Sequence, residues 1–99
     1  MKVRWTEQAL ARLADIEDYI AQDNPVAAAK LIERILRRGD GLAQFPNRGR
    51  VIPELENNDI REVFEGNYRI AYRNRNQIEI LTVFEGHLLL PISEIENAD

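Results

Sequence analysis

Leu10, Leu13, Ile16 and Ile20 recur at spacings of three and four, the period of one face of an α-helix. That stripe predicts a helix from about Glu7 to Gln22, with Thr6 as N-cap and Glu7 placed where the helix dipole favours a negative charge. Asp23-Asn24-Pro25 interrupts it. Proline cannot continue a helix, but its fixed φ suits the first position of a new one, with Asn24 as cap. A second stripe follows at Ala28, Leu31, Ile32, Ile35 and Leu36. So short a link predicts an αα-hairpin, with Ala27, Ala28 and Ala29 allowing close approach near the turn. Leu42 and Phe45 extend the second stripe, so the helix is expected to reach about Gln44, weakened at Gly39 and Gly41.

Beyond Pro46 the period changes. Pro46 to Asp59 reads as loop, with two prolines and three asparagines. Ile60 to Glu65, Tyr68 to Asn74 and Gln77 to Phe84 then alternate as strands, separated by Glu65-Gly66-Asn67 and Asn74-Arg75-Asn76. Connections this short require antiparallel pairing. Lys2 to Trp5 also alternates and predicts an initial strand. The expected fold is α+β, in the order β-α-α-β-β-β: an N-terminal strand, an αα-hairpin, then a three-stranded antiparallel meander covered on one face. Tyr68, Ile70 and Tyr72 are its expected core face, Ile92 to Asp99 a short extra element or a frayed end, and residues 1–99 one domain.

Charge adds a distinction. The net charge is −4, yet four of the seventeen acids lie between Glu85 and Asp99. Residues 1–84 therefore carry thirteen acids against all thirteen bases, and eleven of those bases are arginines. A neutral body with an acidic tail argues against general nucleic-acid binding, though it leaves a local arginine patch open. Cysteine is absent and histidine occurs once, which makes a zinc site unexpected; no cofactor is implied. No segment reads as membrane-spanning or as a signal peptide, so a cytoplasmic location is expected.

Several short patterns occur in a fixed order: W-T-x-x-A-x-x-x-L from Trp5 to Leu13, D-Y-I-A-x-D-N-P-x-A-A from Asp18 to Ala28, F-P-x-x-G-R from Phe45 to Arg50, then Arg61, N-Y-R-I-x-Y from Asn67 to Tyr72, and I-x-I-L-x-V-F-x-G-H from Ile78 to His87. Together they resemble the RelE/ParE superfamily of type II toxin–antitoxin toxins over nearly the whole chain. The resemblance implies two activities. RelE-like members cut mRNA in the ribosome, which needs an acid, a base and cations around the phosphate. Arg61, Arg69 and His87, with Arg48 and Arg50, are the candidates for that set. ParE-like members inhibit DNA gyrase by binding.

The residues after His87 bring the chain closer to the ParE-like branch. Leu88, Leu89 and Leu90 stand where RelE-like members commonly carry an arginine, and no tyrosine follows Tyr72. The resemblance then implies a ParD-like antitoxin, a hetero-oligomer with it, and gyrase as target. Direct nucleic-acid binding without the antitoxin is not expected, and an inactive member serving as an interaction module is a further alternative. Trp5, Arg61, Arg69, Arg73, Leu88, Leu89 and Leu90 are candidates for the antitoxin or target interface. Each has a plainer reading. Arg69 and Arg73 share a strand face on which Glu62 and Glu79 of neighbouring strands could pair with them in solvent, and Trp5 and the leucines could be core.

Overall fold

The computed structural model describes residues 1–96. The chain runs through β1 (Val3–Trp5), α1 (Glu7–Ala21), α2 (Pro25–Asp40), a 3₁₀ turn (Gly41–Ala43), β2 (Arg50–Val51), β3 (Ile60–Glu65), β4 (Tyr68–Asn74), β5 (Ile78–Glu85) and α3 (Ile92–Glu96). Both expected caps form: Thr6 Oγ1 accepts from the Ala9 amide at 3.1 Å, and Asn24 Oδ1 from the Ala27 amide at 3.0 Å. The second helix is α-helical only to Asp40, and Leu42 is buried from the 3₁₀ turn that follows. Residues 97–99, and with them Asp99 of the acidic tail, lie outside the described residues.

The expected three-stranded meander is too small a sheet. Five strands form one mixed sheet in the order β1-β5-β4-β3-β2. The antiparallel β3-β4-β5 meander is its centre. β1 adds to one edge, parallel to β5, with Val3 opposite Ile78 and Trp5 opposite Ile80. Parallel strands need a long connection, and everything from α1 to β4 supplies it. At the other edge β2 pairs antiparallel with β3, Arg50 opposite Glu62. Two residues leave no periodic signature, so β2 exists only through its partner.

The sheet is covered on both faces. On one, Ala9, Leu13, Ile35 and Leu42 from the helical region pack against Val63, Ile70, Tyr72, Ile78, Ile80 and Val83. The pairing jumps from Ala71 opposite Thr82 to Tyr72 opposite Ile80, so Leu81 is an extra residue in β5. That bulge switches the alternation of β5 and keeps Ile78, Ile80 and Val83 on the helix side. The other face, expected to be solvated, holds a second core of Ile52, Leu55, Ile60, Ala71, Leu81, Phe84 and Ile95, with Leu90 packed on it. The loop after β2 and the helix α3 close it.

α3 is fastened by Glu94. Its carboxylate pairs with Arg12 of α1 and accepts from Thr82 Oγ1 at 2.8 Å, while Gln8 Nε2 donates to the Glu94 carbonyl at 2.6 Å. The Arg12 hydrogen bond, opposed by burial and helped by Thr82, holds the Glu94 carboxyl below its ordinary 4.5. On the same sheet face, hydrogen bonds from Arg73 and then Arg4 do the same for Glu79. Both carboxyls are depressed in the folded state, so their stabilisation is complete above about 4.5 and is lost as pH falls through the folded values. Acid unfolding followed by circular dichroism should start near that range, and Glu94→Gln should be less stable at neutral pH but flatter on the acid limb.

Gly39 is buried for a packing reason. A Cβ there would lie 2.9 Å from Trp5 Cη2, and the indole is held by its Nε1 donating to Asp40 Oδ1 at 2.9 Å. Alanine in place of a mid-helix glycine ordinarily gains about 1 kcal/mol, whereas overpacking costs about 1–3 kcal/mol. Gly39→Ala is therefore expected to lower the melting temperature, and to raise it when combined with Trp5→Leu. Thermal unfolding of the four variants of that cycle measures the sign.

Candidate functional site

Strand alternation sorts the candidate arginines onto different faces. Glu62, Arg69 and Arg73 lie on the α3 side of the sheet, and Arg61, next to Glu62 in β3, points to the helix side.

On the α3 side, Glu62 has a side chain with no exposed area and stands between two arginines. Arg69 Nε donates to its Oε1 at 2.7 Å, and Arg50 Nε to its Oε2 at 2.7 Å. The anticipated Glu62–Arg69 pair is thus present, but it is buried rather than solvated: Arg69 is only 7% exposed. Arg69 Nη2 also lies 2.5 Å from Glu62 Oε1, close enough for charge neutralisation but not aligned as a hydrogen bond, which leaves that N–H without an acceptor. The guanidinium is instead enclosed by aromatic rings, 5.0 Å from the Phe84 centroid and 5.8 Å from that of Phe64. Arg73 is likewise half-buried, its Nε donating to Glu79 Oε1 at 2.9 Å, and Arg4 reaches the other carboxylate oxygen at 2.5 Å.

His87 follows Gly86, against which the Arg69 side chain packs: a Cβ on Gly86 would lie 3.4 Å from Arg69 Cγ. His87 is exposed, with Nδ1 3.3 Å from Glu85 Oε2. It lines a cavity of about 330 Å³ with Phe64, Gly66, Asn67, Glu85 and Gly86. No arginine or lysine lines that cavity among the described residues, and Glu85 is its one carboxylate. Leu88 and Leu89, in the segment after it, are exposed, Leu89 by 95%, while Leu90 packs on the second core. Trp5 is half-buried at the edge of the first core.

On the helix side, Tyr72 organises the loop before β2. Its hydroxyl accepts from the Gly49 amide and donates to the Pro46 carbonyl, both at 2.9 Å. Arg61 Nη1 donates to the Gly49 carbonyl at 2.8 Å. A Cβ on Gly49 would meet Tyr72 Oη at 2.6 Å and the Glu62 carbonyl at 2.7 Å, so only glycine lets the loop lie this close. Burial pushes the Tyr72 hydroxyl pKa up, so it stays protonated and able to donate. The two loop arginines part here: Arg50 turns to Glu62, and Arg48 stacks over Phe45, 4.6 Å from the ring centroid.

The candidate set is therefore not one site. Arg50 and Arg69 share a buried carboxylate, Arg73 belongs to a second ion cluster, Arg48 and Arg61 lie around the loop, and His87 sits beside Glu85. Sequence reading overlooked Arg34, Arg37 and Arg38, which line one cavity together with Arg48. Their i, i+3, i+4 spacing on the polar face of α2 was the available signal.

Removing one partner of a buried ion pair costs about 3–5 kcal/mol, because the other charge is left uncompensated. Arg69→Met leaves Glu62 with Arg50 alone, so it should lose somewhat less than that in urea unfolding. The double variant Arg69→Met/Glu62→Leu should recover most of it, which would identify the pair as structural.

Comparison with known proteins agrees with this architecture. The family described as "ParE toxin of type II toxin-antitoxin system, parDE" matches residues 3–87. Y4kP of Sinorhizobium fredii is 38% identical over 90 residues, spanning 91% of this chain and 93% of that protein. Toxin RelE2 of Caulobacter vibrioides is 46% identical over 50 residues, half of this chain and 57% of that protein. A solved chain of the chromosomal ParDE toxin–antitoxin system from P. aeruginosa superposes with a TM-score of 0.72 at 27% identity, covering 86% of this chain and 95% of that one. With the family pattern running from β1 through His87 and the same fold in a ParDE system, this chain belongs to the ParE toxin family, within the RelE/ParE superfamily.

Proposed function

We propose that the protein is the toxin of a ParDE-type pair that inhibits DNA gyrase by binding, and that a ParD-like antitoxin neutralises it in a hetero-oligomer. The observation that carries this reading is the fate of Arg69. A ribonuclease needs that cation facing a phosphate, and here Glu62 and two phenylalanine rings hold it inside the sheet. His87 has a carboxylate beside it, and no arginine or lysine lines its cavity among the described residues. A surface that binds suits the molecule better than a site that moves protons. Stabilisation of the cleaved gyrase–DNA complex needs no group of the toxin to react.

The segment after His87 supports an antitoxin contact. Leu88, Leu89 and Ile92 are exposed near one another in sequence, and exposed apolar side chains in a cluster mark interaction surfaces. An amphipathic antitoxin helix would bury them.

Two assays test the proposal. Purified protein added to gyrase should stop supercoiling and accumulate cleaved DNA, while primer extension on translating ribosomes should show no new cuts. Ribosomal A-site cuts abolished by His87→Ala would overturn it in favour of the ribonuclease. Leu89→Asp, at a position too exposed to affect folding, should weaken antitoxin binding about tenfold or more by isothermal titration, with an unchanged melting temperature.

A further inference from the structure

The arginines that are not neutralised inside the sheet gather on the helix side. Arg34, Arg37 and Arg38 of α2 and Arg48 of the following loop line a cavity of about 300 Å³, with Glu65 as its one carboxylate. Glu65 is 3.7 Å from Arg34, and Arg37 pairs with Glu33 on the same helix in an exposed, weak contact. Arg38 donates from Nε to the Phe64 carbonyl at 3.1 Å. Arg38 and Arg48 have no carboxylate partner among the described residues. With Arg34 beside Glu65 and Arg37 beside Glu33, four guanidiniums face two carboxylates, which leaves a net positive cleft on a body, residues 1–84, that is neutral in sum.

A second cavity, of about 430 Å³, adjoins the first through Arg48 and is lined by Gln44, Phe45, Pro46 and Asn47. It is a shallow recess with two side-chain amides and one aromatic ring, 53% exposed, over which the Arg48 guanidinium stacks at 4.6 Å from the centroid. The segment between Phe45 and Gly49 is pinned before any ligand arrives. Tyr72 holds both its ends, and Asn74 Nδ2 donates to the Pro46 carbonyl at 3.2 Å and to Asn47 Oδ1 at 2.8 Å. The Arg48 amide closes the turn onto the Phe45 carbonyl at 3.0 Å. Arg48 and Phe45 are thus held in place, which lowers the ordering cost of binding.

From this juxtaposition we infer that the α2–loop cleft binds single-stranded nucleic acid, its phosphates on the arginines and a base against Phe45 and the guanidinium stacked on it. A strand offers alternating phosphates and flat bases, and a cationic groove with an exposed ring beside it matches both. An acidic peptide would use the arginines and leave the aromatic slot empty. The planar guanidinium fork is suited to phosphate oxygens. The site lies on the opposite side of the sheet from Glu62 and Arg69, and it does not depend on whether gyrase is the cellular target.

Fluorescence anisotropy with labelled twelve-nucleotide dT and rU strands tests the inference on the intact protein. Binding should be salt-sensitive, with a log–log slope of about −1.4 to −2.8 for two to four phosphate contacts on a single strand. Arg38→Glu/Arg48→Glu should weaken it by about tenfold or more, and Phe45→Ala by about fivefold or more. Arg75→Glu, at an exposed arginine outside both cavities, should change it less than twofold, and melting temperatures report that each variant is folded. If the cleft variants fail to fold, Arg48→Ala alone carries the comparison. A difference between the dT and rU strands identifies which nucleic acid the site prefers, and either preference supports it. The inference is overturned if neither strand binds, or if the cleft variants bind as the parent does. It is also overturned if polyglutamate competes as well as the oligonucleotides while Phe45→Ala changes nothing, which would assign the cleft to an acidic peptide.

Discussion

A carboxylate with no exposed area must be satisfied by its neighbours, and Glu62 sets much of the arrangement around it for that reason. It sits in the middle of β3, with Arg69 of β4 on one oxygen and Arg50 of β2 on the other. The pair with Arg69 allows that guanidinium to lie beside Phe84 on the face that carries the second core. The pair with Arg50 fastens the two-residue strand β2, which has little else to hold it. From the other side of the sheet Tyr72 fastens the same loop. The loop is therefore clamped on both faces, and its two arginines point to different environments.

This division gives the arginine excess a physical meaning. The arginines around the α3 face are largely counter-charges: Arg4 and Arg73 serve Glu79, Arg50 and Arg69 serve Glu62, and Arg12 reaches over from α1 to Glu94. They close a second core and tie α3 to the sheet. On the helix side the pairing is incomplete, and a positive cleft results. Summed over the chain the two populations look alike, so net charge conceals a polarity that the fold creates. That polarity separates the arginines that stabilise the domain from those whose charge is left without a full counter-charge.

Much of the fold was legible in the order of residues. Thr6 and Asn24 announce their helices because the cap hydrogen bonds are local, reaching only three residues along the chain. The apolar stripes and the β3-β4-β5 meander follow from short periods and short turns. The family, too, could be recognised from motifs in a fixed order. What was missed depends on residues far apart: β1 finds β5 across some seventy positions, β2 exists only beside β3, and the second core needs α3 to return to Thr82 and Gln8.

The sequence by itself determined the helical hairpin, the central meander, the family and the abundance of arginine in residues 1–84, which are neutral in sum. Only the tertiary structure decided which arginines are neutralised. Alternation places Arg69 and Glu62 on one face, but whether that face is wet or closed depends on α3 and on the loop from Ile52 to Ile60, and both close it. Arg34, Arg37, Arg38 and Arg48 become one cleft only when the end of α2 and the loop before β2 are folded side by side. Periodicity is a property of neighbours in the chain. Burial of charge is set by contacts between segments, and that is why the candidate site could be named in the sequence but not assembled from it.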